Sequence, residues 1–334
     1  MKLLIITQVV DSTHPILGFF HRWIEEFARQ CESVEVIALQ VGVHSLPSNV
    51  TVHSLGKEVG VGRIHYLWRF YRLIWQRRQH YDAVFVHMNQ IYVILGAVLW
   101  RLLRKRVGLW YMHGTVSPSL RFATLLADAI FTGSKESFRV DSAKVVVTGH
   151  GIDTDHFNAV PLLEHETRYD CITVGRISKS KNLEALILAV GQMDSSTLLI
   201  VGVPVTAADQ IYDKELREMV RTHNWTDRIR FYGPALPAHL PRLLSSASVF
   251  VHTAQNGSLD KTVLEALATG LTVVSTASAL KGMSPMIVST DETNLASVLI
   301  QQLQQKTNNT SAREYVIREH GLARLMALLL TYYK

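Results

Sequence analysis

Cysteine is nearly missing from this chain of 334 residues: Cys31 and Cys171 are the only two. They lie far apart and without metal-ligand spacing, so neither a disulfide framework nor a zinc site is implied, and a reducing compartment is expected. Long apolar runs are missing too. The longest, residues 91–100, falls short of the roughly 20 residues a spanning helix needs. The apolar start at 3–6 is too short for a secretory signal and gives way to polar residues, which predicts a cytoplasmic protein. Nucleotide-binding glycine patterns fail in two places. Residues 7–18 supply one glycine after the first apolar run, and Gly60-Val61-Gly62 has His65 where a third glycine belongs. A dinucleotide oxidoreductase is therefore disfavoured. With no Gly-Lys-Ser/Thr triplet, so is a nucleoside triphosphatase. Acidic residues are fewer than basic ones, 28 against 34, for a net charge of +6. No nucleic-acid-binding module accompanies that charge, and nucleic acid is not an expected partner.

What the chain has is 48% hydrophobic residues, enough for two domains of ordinary size. Apolar runs at 3–7, 34–39, 50–55, 83–87, 108–113, 129–132 and 145–148 alternate with helical stretches. That rhythm predicts a doubly wound α/β domain on a mostly parallel sheet. The pattern breaks over a stretch with Gly, Pro and several acids, then restarts at 169–174, 197–201, 229–232, 247–253 and 272–275. The expected organisation is a domain at 1–150, a linker at 151–167 and a second domain at 168–318. A leucine-rich helix follows within 319–334.

The run Gly257-Ser258-Leu259-Asp260-Lys261-Thr262-Val263-Leu264-Glu265-Ala266-Leu267-Ala268-Thr269-Gly270 follows one of these strands. It predicts a helix capped by Ser258, with Gly270 in the left-handed position past its end. Leu259, Val263 and Leu267 form the core stripe, and Ser258, Lys261 and Glu265 share the opposite face. Polar groups at the C-terminal end of a parallel strand suit nucleotide binding. Taken alone, Lys261 and Glu265 have the spacing of an ordinary exposed i,i+4 pair.

A second segment, Gly175-Arg176-Ile177-Ser178-Lys179-Ser180-Lys181-Asn182, turns out of a strand and enters a helix. Helix N-termini favour anions, and Arg with Lys adds bidentate and mobile cationic contacts suited to a diphosphate. Three cations in six residues also describe a solvated loop.

Together the two segments resemble the family-four (group 1) retaining glycosyltransferases of the GT-B fold, bacterial surface-polysaccharide enzymes especially. The likeness spans nearly the whole chain. It implies two Rossmann-like domains facing a central cleft, with the C-terminal helix returning to the first domain. It implies that Arg176 and Lys181 hold the donor's diphosphate and that Glu265 binds its ribose. It further assigns a loop glycine near the donor to Gly18 and a histidine facing the donor sugar to His113, in the segment Tyr111-Met112-His113-Gly114. Gly175, Gly257, Ser258, Asp260, Lys261 and Thr262 complete the donor-side set. The family commonly has a second Glu eight residues before the first, and Gly257 stands there, which leaves Asp260 or nearby backbone amides to meet the sugar hydroxyls. His150 and His156, beside the expected hinge, read as structural.

The implied reaction moves a hexosyl group from a UDP- or GDP-type sugar to an acceptor hydroxyl with retention, in cell-surface polysaccharide synthesis. Arg176 and Lys181 would stabilise the departing diphosphate, and no cofactor or metal is expected. A non-catalytic nucleotide-sugar-binding or scaffold protein is the alternative. The acceptor is expected to be a glycan or a polyprenyl-diphosphate-linked sugar. Ile64, Leu67, Trp68, Tyr71, Ile74 and Trp75 follow helical spacing among Arg63, Arg69, Arg72, Arg77 and Arg78, with Arg101, Arg104, Lys105 and Arg106 further on. This describes either a core-packed helix with a basic rim or peripheral attachment to an anionic membrane face, and the second is preferred.

Overall fold

The computed structural model describes residues 1–14, 16–255, 259–281, 287–305 and 310–333. The chain divides into two compact units: 1–151 with 320–334, and 152–319.

In the first unit, seven strands among the described residues form one parallel sheet: β1 (Lys2–Val10), β2 (Ser33–Val41), β3 (Val50–Ser54), β4 (Ala83–His87), β5 (Arg106–Trp110), β6 (Ala129–Thr132) and β7 (Val145–Val147). Their order is β3-β2-β1-β4-β5-β6-β7. Helices α1 (Phe19–Gln30), α2 (Arg63–Gln76), α3 (Gln90–Leu102) and α4 (Pro118–Leu126) make the crossovers. Strands covered on both faces read as unbroken apolar runs, and Leu3 to Ile6 are fully buried. The strand expected over 108–113 stops at Trp110. Trp110 pairs with His87, the last residue of β4, so one ladder ends there and His113 falls in the following loop.

In the second unit, β8 (Tyr169–Val174), β9 (Leu198–Val201), β10 (Ile229–Gly233), β11 (Ala247–His252), β12 (Thr272–Ser275) and β13 (Ile287–Ser289) form a parallel sheet ordered β10-β9-β8-β11-β12-β13. The helices are α5 (Leu183–Gly191), α6 (Ala207–Thr222), α7 (Leu240–Ser245), α8 (Lys261–Ala268), α9 (Leu295–Gln305) and α10 (Thr310–His320). β13 is a three-residue edge strand, too short to stand out as a pattern. The segment expected as a linker packs here. Ile152 and Phe157 are buried in this unit's core, and Arg313 donates to the carbonyls of Thr154 and Phe157 at 2.7 Å.

The last helix, α11 (Leu322–Tyr333), belongs to the first unit. Leu325, Met326 and Leu329 are fully buried against α1 and the sheet, and the Tyr333 hydroxyl donates to the Val84 carbonyl at 2.9 Å. Gly108 makes room for it: a Cβ there would lie 2.3 Å from the Tyr333 oxygen.

Candidate functional site

In the second unit the chain builds outward from β8 through β9 to β10, then crosses to β11 on the other side of β8. The loops leaving β8 and β11 therefore diverge at a topological switch point, where doubly wound sheets bind ligands. A shallow depression there is lined by Thr173, Gly175, Arg176, Lys181, His252 and Asp260, among others. The two charged segments singled out in the sequence thus meet, as neighbours on adjacent strands.

The loop after β8 leaves Gly175, passes a 3₁₀ turn at Lys179–Lys181, and enters α5 through Asn182. Asn182 takes the left-handed conformation, φ +48°, which Asn tolerates better than most residues. Its side chain does not cap the helix but donates to Glu292 at 2.6 Å. The β11 loop ties this turn down: Thr253 donates its hydroxyl to the Lys181 carbonyl at 2.7 Å, and the Gln255 N–H reaches the Ser180 carbonyl at 3.0 Å.

These anchors aim Lys181 into the depression, where its ammonium pairs with Asp260. The same Asp260 oxygen accepts a hydrogen bond from His252 Nε2 at 3.0 Å. His252 is buried at the end of β11, and its Nδ1 lies 3.1 Å from the Ser275 hydroxyl. That hydroxyl also accepts the Ala277 N–H at 3.1 Å, and because the Asp260 carboxylate can only accept, Nε2 is the proton-bearing nitrogen that faces it. Burial works against the Asp260 anion. The His252 hydrogen bond and the Lys181 charge overcome it and hold the carboxyl at about 2. The result is a half-buried, hydrogen-bonded anion clamping one cation in a defined place.

The helix after β11 starts later than expected. Asp260 occupies the cap position of α8, without a side-chain capping bond, and Leu259 packs in the core ahead of the helix. Gly257 and Ser258, including the expected Ser258 cap, lie outside the described residues. Gly270 does take the left-handed conformation, φ +83°. The face expected to be open is not: Glu265 is buried, with its Oε1 3.8 Å from Lys261 Nζ. Burial raises the Glu265 carboxyl above its ordinary value and brings the Lys261 ammonium down to about 8. Thr262 is half-buried in the first turn of α8. Glu265 does not line the depression that holds Arg176 and Lys181.

Of the remaining cations, Arg176 is about half exposed, its Nε 3.9 Å from Asp209, and Lys179 points to solvent. In the first unit, Gly18 sits at the start of α1 with φ −58°, a conformation open to any residue. His113 is exposed, and its Nδ1 accepts the Thr115 N–H at 3.3 Å.

Sequence reasoning overlooked three members of this site. His252 ends an otherwise apolar strand, and a polar residue at a strand's C-terminal edge is a readable signal. Asp209 is held by the capping box of α6, where Thr206 and Asp209 exchange hydrogen bonds, and the Oδ2 that accepts the Thr206 N–H is the oxygen nearest Arg176. Gly202, after β9, has φ +144°, and a Cβ there would lie 1.8 Å from the Gly175 carbonyl oxygen. Only glycine lets the two strand ends approach so closely.

Residues 156–301 match the family described as glycosyl transferases group 1. The matched span lies wholly within the second unit. The search of curated proteins finds no match to the chain. Among solved structures, the Anabaena HepE protein in complex with UDP is similar at 18% identity and a TM-score of 0.78, over 99% of this chain and 100% of that one. A glycosyltransferase from Rickettsia africae is similar at 11% identity and a TM-score of 0.76, over 100% of this chain and 98% of that one. Sucrose-phosphate synthase from Thermosynechococcus elongatus follows at 15% and 0.75, over 99% of this chain and 98% of that one. The fold is GT-B, with a parallel α/β sheet in each unit.

Proposed function

We propose that the chain is a glycosyltransferase that moves a hexosyl group from a nucleoside diphosphate sugar to a hydroxyl of a glycan or lipid-linked acceptor, with retention at the anomeric carbon. Cell-surface polysaccharide synthesis is the proposed setting. The observation that carries the reading is the meeting of Arg176 and Lys181 at the switch point beside β8 and β11. Charge develops on the leaving diphosphate as the glycosidic bond breaks. Cations held in advance at those oxygens stabilise that charge without reorganising at the moment of reaction. Asp260 serves by fixing the Lys181 ammonium rather than by attacking the sugar, since a carboxyl held near 2 and shared with His252 is a weak nucleophile and a weak base. With no side-chain nucleophile invoked, the acceptor attacks on the face the diphosphate leaves, and that phosphate takes the acceptor's proton. Two cations supplied by the chain make a metal-independent reaction the natural proposal.

UDP is the preferred nucleotide, because the similar HepE protein was solved with UDP and with UDP-glucose. Glu265 is the proposed partner of the donor's ribose, with its Lys261 pair the group that must yield to it. Gly257, standing where a second acid is common, favours the non-catalytic alternative. One experiment separates the two: the full chain is incubated with UDP- and GDP-sugars and lipid or glycan extracts, and the products are read by mass spectrometry. Acceptor-dependent release of nucleoside diphosphate together with a hexosylated product supports transfer. Binding of UDP without turnover across the panel overturns it in favour of a binding protein.

A further inference from the structure

Helix α2 is amphipathic in the wrong direction for a helix of a soluble surface. Its buried residues are Phe70 and Ile74. Ile64, Leu67, Trp68, Tyr71 and Trp75, which recur at i, i+3, i+4, i+7 and i+11, instead face solvent, with Ile64 at 85%, Trp68 at 57% and Trp75 at 52% exposure. The arginines on this face lie over the indoles: Arg72 sits 5.2 Å from the Trp68 ring centre and Arg78 4.2 Å from that of Trp75.

The face continues onto two more helices. The Tyr71 hydroxyl donates to the Leu95 carbonyl of α3 at 3.0 Å, and Gln90 of α3 bonds Ser119 of α4 at 3.1 Å. All three helices cover the same side of the sheet through one core cluster. On their outer surfaces, Val98 and Leu102 of α3 and Phe122 and Leu125 of α4 are each more than half exposed. Nearly half of the large exposed hydrophobics among the described residues lie on these three helices. Scattered exposed apolar residues are ordinary, but a contiguous patch of this extent marks an interaction surface.

Charge narrows the partner. Residues 59–127 hold ten Arg and Lys and a single acid, Asp82, which accepts the Lys2 backbone N–H. Four of these cations serve the fold. Arg77 pairs with buried Glu35, and Arg69, Lys105 and Arg106 donate to the carbonyls of Leu55, Tyr81 and Tyr332. Arg63, Arg72, Arg101, Arg104 and Arg121 are exposed beside the apolar patch. Aliphatic and indole groups ringed by arginine, with no acid on any of the three helices, complement an apolar layer beneath a negative headgroup plane. A second copy of the same face would bring like charges together. No helix of the described residues is long and apolar enough to cross a membrane, so the fit is to a helix lying on one.

We infer that the outer face of α2, α3 and α4 is a docking surface for an anionic lipid bilayer, with Trp68 and Trp75 seated at the headgroup level. The inference is independent of the transfer reaction. The test is flotation of the full chain with vesicles of phosphatidylcholine, with and without phosphatidylglycerol. The chain should float with the anionic vesicles, float poorly with the neutral ones, and be released by salt. Arg72→Ala with Arg101→Ala should weaken partitioning, roughly fivefold for each arginine removed. Trp68→Ala with Trp75→Ala should weaken it as well, with circular dichroism unchanged because both rings are exposed. Ile211→Ala, on the exposed side of α6, should change nothing. Failure of the wild-type chain to float with either vesicle overturns the inference, as does flotation that neither double variant alters. So does concentration-dependent dimerisation, or salt-sensitive RNA binding, lost in the same variants while vesicles are ignored.

Discussion

Lys181 and Asp260 are 79 residues apart in sequence and form an ion pair, because β8 and β11 are neighbours in the sheet and each residue lies in the segment between its strand and the helix that follows. His252 completes the arrangement by holding the same carboxylate oxygen at 3.0 Å. The cation proposed for the diphosphate is therefore held in place by groups of the chain itself, its carboxylate partner among them.

Lys181→Ala is expected to lower turnover by roughly 10²–10³ while leaving the fold intact, since one preorganised electrostatic donor is lost at a partly exposed position. Steady-state kinetics with a saturating donor, alongside a thermal melt, checks this. Wild-type turnover in the variant would remove Lys181 from the reaction.

The acid limb of stability should carry the mark of Asp260. Its carboxyl titrates near 3.8 in the unfolded chain and at about 2 in the folded one, so the folded state binds fewer protons between those values. The stabilisation, roughly 2 kcal/mol by linkage, is present above pH 4 and is lost as pH falls through about 2. Urea melts of the wild type and Asp260→Asn across acidic pH should converge toward the low end. A constant gap between them would show that the carboxyl is not held low.

One lysine should titrate far from the rest. Burial brings Lys261 down to about 8, against 10.5 for a solvated lysine. Between those values the unfolded chain binds the extra proton, so this group makes stability rise with pH over that window. NMR of reductively methylated protein should show one dimethyl-lysine signal moving near pH 8 and missing in Lys261→Met. Uniform lysine titration near 10.5 would contradict it.

Gly202→Ala should destabilise the second unit by roughly 2 kcal/mol or more, because its Cβ would meet the Gly175 backbone and its φ is one that side chains avoid. A drop of several degrees in Tm, with weakened UDP binding by calorimetry, is the expected pair of readings. An unchanged melt would mean that the strand ends can part without cost.

Chelation addresses the proposed metal independence. Transfer should persist in excess EDTA at an unchanged rate, because Arg176 and Lys181 supply the positive charge. Loss of activity restored by added magnesium or manganese would assign part of that charge to a bound cation.

Much of the fold was legible because parallel strands buried on both faces must be continuously apolar. The runs from 3–7 to 272–275 each became a strand, and Gly270 ended its helix in the left-handed conformation as a glycine there should. The turn carrying Arg176 and Lys181 was legible too, since Gly175 and the polar run after it break an apolar pattern. Helix α8 was read too long because Ser258 and Asp260 are both acceptable cap residues, and local propensity does not choose between them.

Local sequence determined which segments are strands and helices and which loops bear cations, because these follow from side-chain periodicity and turn chemistry within a dozen residues. Tertiary structure alone decided that Lys181 meets Asp260 and His252, that Glu265 is buried against Lys261, and that the aromatic stripe of α2 faces outward. Those outcomes depend on the order of strands in the sheet and on which side of a helix finds a partner. Such non-local packing leaves no periodic trace in the chain.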